Sequence, residues 1–332
     1  MTMRYRGGLG RAALGIAISA VALVLVAHSV DVSAAWDAMR SAQPAWLTLL
    51  VVLVCVDLLT RALRWKVLLS PVGRVRYGDS LASLLVGYLA NNVLPARLGE
   101  VVRSHDLGER SGLSKSTILG TIVVERVMDT LVVVVIAALA IFVLSVRGIV
   151  ASAILVGLAV TALLVVAIAV GLVAHRLPGA DRASAFINRW PRIHGLLVRL
   201  RAGLAVARSM RVMAASLGFT MVSWSCAVLG FAAAAQSVGV EPTMGQAALL
   251  AAGVNLATAV PAAPGYVGTF ELAAVTIAAS VGIDRESALA FAVLLHALSL
   301  LITSLGGAVA LLAGGRRRAR NEAPAAEPRS HA

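Results

Sequence analysis

Charge is what this sequence has least of. Asp, Glu, Lys and Arg make up 14% of its 332 residues, against about a quarter in soluble domains. Gly148 to Ala174, Val212 to Val240 and Ser287 to Gly315 contain none of the four. Each run exceeds the roughly 20 apolar residues that cross a hydrocarbon core. A soluble helical core, whose helices need charged outer faces, is thereby excluded. Cysteine is nearly missing as well. Cys55 and Cys226 fall inside apolar runs with no CxxC and no neighbouring histidine, which excludes a disulfide framework and a thiolate metal site. Also missing are G-x-x-x-x-G-K-[ST], G-x-S-x-G, HExxH and any dense acidic cluster able to hold Mg²⁺. The expectation is a chain that is no enzyme and takes no cofactor or metal.

What is present is hydrocarbon: 59% of residues are hydrophobic and the mean hydropathy is +0.89. The net charge of +13 would suit nucleic acid. The arginines, however, sit in short loops between apolar runs, where they report membrane topology. No nucleic-acid partner is expected. Arg4, Arg6 and Arg11 precede the apolar run Ala12 to Val30. Val32-Ser33-Ala34 would pass as a signal cleavage site, but the run is longer than the roughly 7–15 residues of a signal core. An uncleaved first helix is expected, followed by a loop poor in positive charge.

Helix two spans about Ala45 to Leu63 and ends in Arg61, Arg64 and Lys66. The next apolar run, Ser80 to Ala96, is short and holds Asn91, Asn92 and Pro95. If it crossed, the loop His175 to Arg211, with eight arginines against Asp181, would lie outside. Positive charge marks the cytoplasmic side. The run is therefore read as entering and returning. Spans at Thr117 to Val146, Gly148 to Ala174, Val212 to Val238 and Ser287 to Leu312 then alternate properly. Met244 to Ala263 and Val267 to Val281 are short and broken by Pro261, Pro264 and Gly265. The fold class is an all-α polytopic helical bundle of about six to eight spans, with two re-entrant elements. Residues 1–315 form the membrane domain, and 316–332 a disordered basic tail. Both termini are expected in the cytoplasm.

The two breaks resemble each other. Pro95 is followed by Gly99 and Glu100; Pro261 and Pro264 are followed by Gly265, Gly268 and Glu271. One opens to the cytoplasm and the other outward, the pattern of inverted repeats with discontinuous helices in transporters. Coincidence is the alternative, since Pro and Gly are frequent in membrane helices.

Ionisable residues inside membrane segments are candidates for function. Asp57 and Arg61 are spaced i,i+4, with Arg64 on nearly the same face. Arg97 and Arg103 can offer planar forks to phosphate, oriented by Glu100, unless they belong to a solvated surface helix. Glu125 and Asp129 share one face and repel unless an arginine from elsewhere sits between them, while Arg126 projects about 100° away. Arg61, Arg64 or Arg103 would satisfy both acids. Glu271 stands alone, either protonated or paired with an incoming arginine. His296 reads as a hydrogen-bonded packing residue and is left out of the site.

The order of four blocks resembles a known family. They are Arg61-x-x-Arg64-Trp65 with Leu68-Leu69; Asn92-x-x-Pro95-x-Arg97-x-Gly99-Glu100-x-x-Arg103; Glu125-Arg126-x-x-Asp129; and Pro261-x-x-Pro264-Gly265-x-x-Gly268-x-x-Glu271. Over Trp46 to Leu312 the chain is similar to the lysylphosphatidylglycerol synthase transmembrane-region family, also called flippase-like integral membrane proteins. Tyr266 departs from the second glycine common there. The resemblance implies a plasma-membrane protein that moves an anionic lipid headgroup between leaflets, without the soluble aminoacyl-transferase half. The headgroup would meet Arg61, Arg64, Asn92, Arg97, Glu100, Arg103, Glu125, Arg126, Asp129 and Glu271. Pro95, Gly99, Pro261, Pro264, Gly265 and Gly268 would make the breaks. Membrane lipids are the expected partners; a homo-oligomer or an envelope-synthesis partner stays open. So do two rival readings, an enzyme acting on lipid-linked substrates and a non-transporting partner in envelope lipid synthesis.

The topology is directly testable. Single cysteines placed within His175 to Arg211 of a cysteine-free variant should resist an impermeant thiol reagent in intact cells; labelling there would overturn the assignment.

Overall fold

The computed structural model describes residues 3–94, 98–148, 202–258 and 263–322, with a few isolated positions between 151 and 163. Among the described residues all regular structure is helical. Helices suit this composition, because no water in a bilayer can satisfy an open backbone. Helix α1 (Met3–Ser29) turns through 88° into the short α2 (Val32–Arg40). The plain loop expected here is thus a helix. Asp31 starts it, its Oδ1 accepting from the Ser33 and Ala34 amides at 2.9 and 3.2 Å. The Ser33 hydroxyl, and then these amides, hold the exposed Asp31 carboxyl below its usual range. Trp36 stays half-exposed, with the Arg40 guanidinium 5.2 Å from its ring centroid.

The chain continues through α3 (Pro44–Leu69), α4 (Tyr77–Val93), α5 (Gly99–Ser111), α6 (Lys115–Leu144), α7 (Met210–Ser237), α8 (Met244–Ala257), α9 (Thr269–Ser280) and α10 (Arg285–Glu322). Helices α3, α6, α7 and the Arg285–Gly314 part of α10 are each long and apolar enough to cross a membrane; α1 with α2 makes a fifth if the bent pair is one span. The molecule is an all-α multi-pass membrane protein. The expected span Gly148 to Ala174 and residues 175–201 of the basic loop fall outside the described residues. Helix α10 runs past the expected boundary at 315, as far as Glu322.

Two pairs of short helices form hairpins. Helices α4 and α5, of 17 and 13 residues, pack on each other across residues 94–98. Helices α8 and α9, of 14 and 12 residues, do the same across residues 258–268. All four are shorter than a full crossing requires. The first hairpin is closed by glycine. A Cβ on Gly99 would lie 2.2 Å from the Gly87 carbonyl oxygen, so no other residue lets these helices approach so closely.

Helix α10 holds both hairpins. Asn92, at the end of α4, donates to Thr303 Oγ1 and Ser304 Oγ of α10 at 2.9 and 3.0 Å. The turn Pro264–Tyr266 of the second hairpin packs on α4, and a Cβ built on Gly265 would touch Leu300 of α10. Residue 300 lies midway along Arg285–Gly314. The two tips therefore meet at half the length of α10. Around them the core is built from small residues: Ala234 and Ala235 of α7, Ala247 and Ala252 of α8, and Ala288, Ala290 and Ala292 of α10 are almost fully buried. Small side chains let helices pack closely where no hydrophobic force drives them together.

The α4–α10 crossing depends on Gly307. A Cβ there would stand 2.5 Å from Leu89 Cβ and 2.6 Å from the Leu85 carbonyl oxygen. Gly307→Ala should cost about 1–3 kcal/mol by overpacking, read as a lowered thermal midpoint in detergent. Gly78→Ala, where the added Cβ meets nothing within 4 Å, is the control that should not show this loss.

Candidate functional site

The acids of α6 organise the site. Glu125 and Asp129 lie one turn apart on a buried face, and the arginine their spacing demands is Arg64 of α3, which is fully buried. Arg64 Nη2 reaches Glu125 Oε1 and Asp129 Oδ2, both at 3.1 Å, and its Nη1 pairs with Asp129 Oδ1. Nη1 also donates to Thr220 Oγ1 of α7 at 3.0 Å. A forked guanidinium can serve two carboxylates at once; an ammonium cannot. On the other side of Glu125, Arg103 Nη2 of α5 donates to Oε2 at 2.7 Å. The Arg103 guanidinium carbon lies 4.4 Å from the Trp65 ring centroid, a cation–π contact that covers a buried charge.

Arg61, one turn before Arg64, is held by Asp57 through its Nε at 2.8 and 2.9 Å, and Ser223 of α7 donates to the same carboxylate. The cluster therefore joins α3, α5, α6 and α7. Four arginines (61, 64, 103 and 126) face four carboxylates (57, 100, 125 and 129), so its formal charge is zero. Among the described residues, the buried Nε groups of Arg64 and Arg103 meet no hydrogen-bond partner.

Arg126 differs from the rest. Its side chain is 45% exposed, and its closest carboxylate contacts are 3.5 Å to Glu100, 3.8 Å to Asp129 and 3.9 Å to Glu125. It projects from the buried acidic face, as its position in the helix predicts. Beside it is a shallow recess lined by Gly87, Tyr88, Asn91, Gly99, Glu100 and Arg103. Asn91 Oδ1 accepts from the Gly99 amide at 2.8 Å, which caps the start of α5 and closes the wall of this recess.

Not every expected residue gathers here. Asn92 faces α10, as described. Glu271 lies in the second hairpin, and its partner is not an arginine. His296 of α10 meets Glu271 Oε1 at 2.7 Å, while its other ring nitrogen meets the Gly265 carbonyl at 2.7 Å. Glu271 Oε2 also accepts from the Gly268 amide at 2.6 Å. The histidine set aside in the sequence thus joins Glu271 to the break. Gly265, Tyr266 and Gly268 all adopt left-handed backbone, with φ of 67°, 59° and 87°. Tyr266 thus takes a left-handed conformation that costs a residue with a Cβ more than it costs glycine. Arg97, Pro95 and Pro261 fall outside the described residues. Among the described residues no group of three His, Cys, Asp or Glu side chains is placed to hold a metal ion.

Thr220 and Ser223 escaped the sequence reading, and Trp65 entered it only as part of a family block, with no role. A hydroxyl within an apolar helix carries no spacing signal. Trp65, next to Arg64 in sequence, serves Arg103 of another helix.

The sequence profile described as "Lysylphosphatidylglycerol synthase TM region" matches residues 12–307. "Glycosyltransferase AglD" of Haloferax volcanii is 26% identical over 333 residues, covering 90% of this chain and 53% of its own. "UPF0104 membrane protein" of Methanothermobacter thermautotrophicus is 29% identical over 131 residues, 39% of this chain and 37% of its own. The chain thus matches about half the length of the first relative and less of the second. No solved structure matches it.

Removing one partner of a buried ion pair strands the other and costs about 3–5 kcal/mol. Arg64→Ala should lose stability on that scale in detergent unfolding, and Arg64→Lys should recover only part of it. Arg126→Ala should lose far less. Equal midpoints for Arg64→Ala and the parent would show that the acids are not held by Arg64.

Proposed function

Since the chain belongs to the lysylphosphatidylglycerol synthase TM region family, we propose that it moves an anionic lipid headgroup between leaflets and performs no covalent chemistry on it. The observation that carries this reading is Arg126. A half-exposed guanidinium about 16 Å along α6, counted from Lys115 at the helical rise, does not face hydrocarbon without compensation. Its long carboxylate contacts leave donors available. A phosphate oxygen pair fits such a fork bidentately. Arg61, Arg64 and Arg103 are engaged by acids at ordinary ion-pair distances and hold the wall in place. Arg126 binds the headgroup, and Glu100 orients it.

The meeting of two hairpin tips at the middle of α10 supports a path between leaflets. A membrane segment that does not cross leaves polar backbone at depth, and such backbone lines a cavity or is buried in protein. In this reading the α4–α5 hairpin opens to the cytoplasm and the α8–α9 hairpin to the outside, as an inverted pair does. Both termini and the basic loop face the cytoplasm of the plasma membrane. The relative named as a glycosyltransferase extends the headgroup class to one that bears a sugar beside its phosphate.

Leaflet exchange of labelled phosphatidylglycerol in proteoliposomes tests the proposal. Arg126→Ala should slow exchange about tenfold or more, the worth of a charge-assisted hydrogen-bonded pair. Arg126→Lys should fall between that variant and the parent, because it keeps the charge and loses the fork. Parental exchange by Arg126→Ala would remove the headgroup from this position. Turnover of a lipid substrate in detergent, where no leaflets exist, would favour an enzyme.

A further inference from the structure

The second hairpin holds a pair that the headgroup site does not use. His296 lies about 16 Å from the start of α10 at the helical rise, and it and Glu271 are 6% and 7% exposed. The ring is stacked on Phe270 at 4.3 Å between centroids. One ring nitrogen is 2.7 Å from Glu271 Oε1, and the other is 2.7 Å from the Gly265 carbonyl oxygen. A carbonyl oxygen only accepts hydrogen bonds, and so does an ionised carboxylate. Two contacts of this length to acceptors need two protons, whereas a neutral imidazole brings one. The second proton is bound, on the ring as imidazolium or on Glu271 as the carboxylic acid. The count is the same for either orientation of the ring. The Gly268 amide occupies the other carboxyl oxygen at 2.6 Å, which leaves Oε1 for the shared proton.

We infer that Glu271 and His296 form a proton-binding site at the tip of the second hairpin, and that a proton travels with the lipid. The coupling rests on the translocation proposed above; the proton site rests on the hydrogen-bond count alone. A headgroup of one negative charge that crosses with one proton moves no net charge. Release runs as follows. The proton leaves to water, and an ionised Glu271 then faces an imidazole lone pair at a distance that has become repulsive. His296 gives up either Glu271 or the Gly265 carbonyl. The left-handed turn at Gly265, Tyr266 and Gly268 loses its clasp. That turn lies on α4, where a Cβ on Gly265 would be 3.7 Å from the Asn92 carbonyl oxygen, so the contact between the two tips loosens with it.

The packed elements carry other ionisable groups. Helix α8 has no ionisable side chain, and α9 has only Glu271. Tyr266 belongs to the break itself. Tyr88 of α4 lines the recess beside Arg126, and Asp79 lies near the start of α4, roughly 20 Å from Asn92 at the helical rise. The rest are Arg4, Tyr5, Arg6, Arg11 and His28 of α1, Asp37 and Arg40 of α2, Cys55, Asp57, Arg61, Arg64 and Lys66 of α3, Tyr77 of α4, Arg211 and Cys226 of α7, and Arg285, Glu286, Arg316, Arg317, Arg318, Arg320 and Glu322 of α10.

The experiment uses vesicles of phosphatidylcholine with labelled phosphatidylglycerol, the purified protein and an imposed pH gradient. With one proton per lipid, the steady-state leaflet ratio should shift about tenfold for each pH unit of gradient. Glu271→Gln keeps all three hydrogen bonds: its carbonyl accepts from Gly268 and its amide donates to a neutral ring. It should match the parent's thermal midpoint, release one proton fewer on alkaline titration in detergent, and give a leaflet ratio indifferent to the gradient. A parent that exchanges lipid but ignores the gradient overturns the coupling and leaves the lipid reading standing. A Glu271→Gln protein that releases as many protons as the parent overturns the proton site, whether or not lipid moves. If the parent moves no lipid at all, the lipid reading and the coupling fail together, and the titration alone decides the proton site.

Discussion

Arg64 sits between two carboxylates that would otherwise repel each other from adjacent turns of one helix. With the guanidinium in place, α3 and α6 are joined through Glu125 and Asp129, and Thr220 brings in α7. Glu125 then has one oxygen left for Arg103, which brings in α5 and the first hairpin. Each link presupposes the previous one. Without Arg64, Glu125 keeps Arg103 but Asp129 keeps only arginine contacts at 3.8 Å, which leaves a buried carboxylate short of compensation, a situation more costly than a lost hydrogen bond. The neutral sum of the cluster leaves the surrounding helices free to be almost wholly apolar. Of the four arginines, Arg126 has the longest nearest carboxylate contact, 3.5 Å, and the most exposed side chain.

Helix α10 plays the corresponding part for the breaks. His296 and Thr303 are seven residues apart, close to two helical turns, so they project on nearly the same face. That face holds the Gly265 turn through one residue and Asn92 through the other. The hairpins are thus referenced to a single helix. The Gly307 contact with Leu85 and Leu89 fixes where α4 crosses it. One hairpin is clasped by a neutral amide–hydroxyl contact and the other by a histidine and an acid. The clasps therefore differ in chemistry although the hairpins resemble each other in shape.

Much of this was legible in the residues. Like charges at i,i+4 within a membrane helix require an arginine from elsewhere, and Arg64 is where that requirement leads. Met244 to Ala263 and Val267 to Val281 do form a hairpin, but Ser80 to Ala96, read as entering and returning, gives only the single helix α4, and the return is made by the polar α5. The path of the partner was harder to read. His296 looked alone because Glu271 is 25 residues away and only the fold unites them. The available signal was its setting, since a histidine within the otherwise uncharged run Ser287 to Gly315 has no water to bond and must find a partner. Helix α2 was also readable, from Asp31 as a cap ahead of Val32, Ala35 and Met39. Low positive charge drew attention to topology in that stretch and away from local structure. Trp65 was not readable, because an aromatic beside an arginine gives no sign of which cation it covers.

The right-angled corner between α1 and α2 has a mechanical consequence. Helix α2 carries half-exposed Trp36 beside Arg40, the composition that settles at the headgroup level. Helix α1 descends from that corner to the second break, where Ser19 Oγ accepts from the Ala263 amide at 3.0 Å and the Ser19 carbonyl closes on Gly268. If α2 rests at the headgroup level, that surface sets the depth of Ser19. The height of the break is set by α10 and its packing. Two independent rulers thus meet at one turn, and a bilayer thinner or thicker than their difference loads that turn through the mismatch.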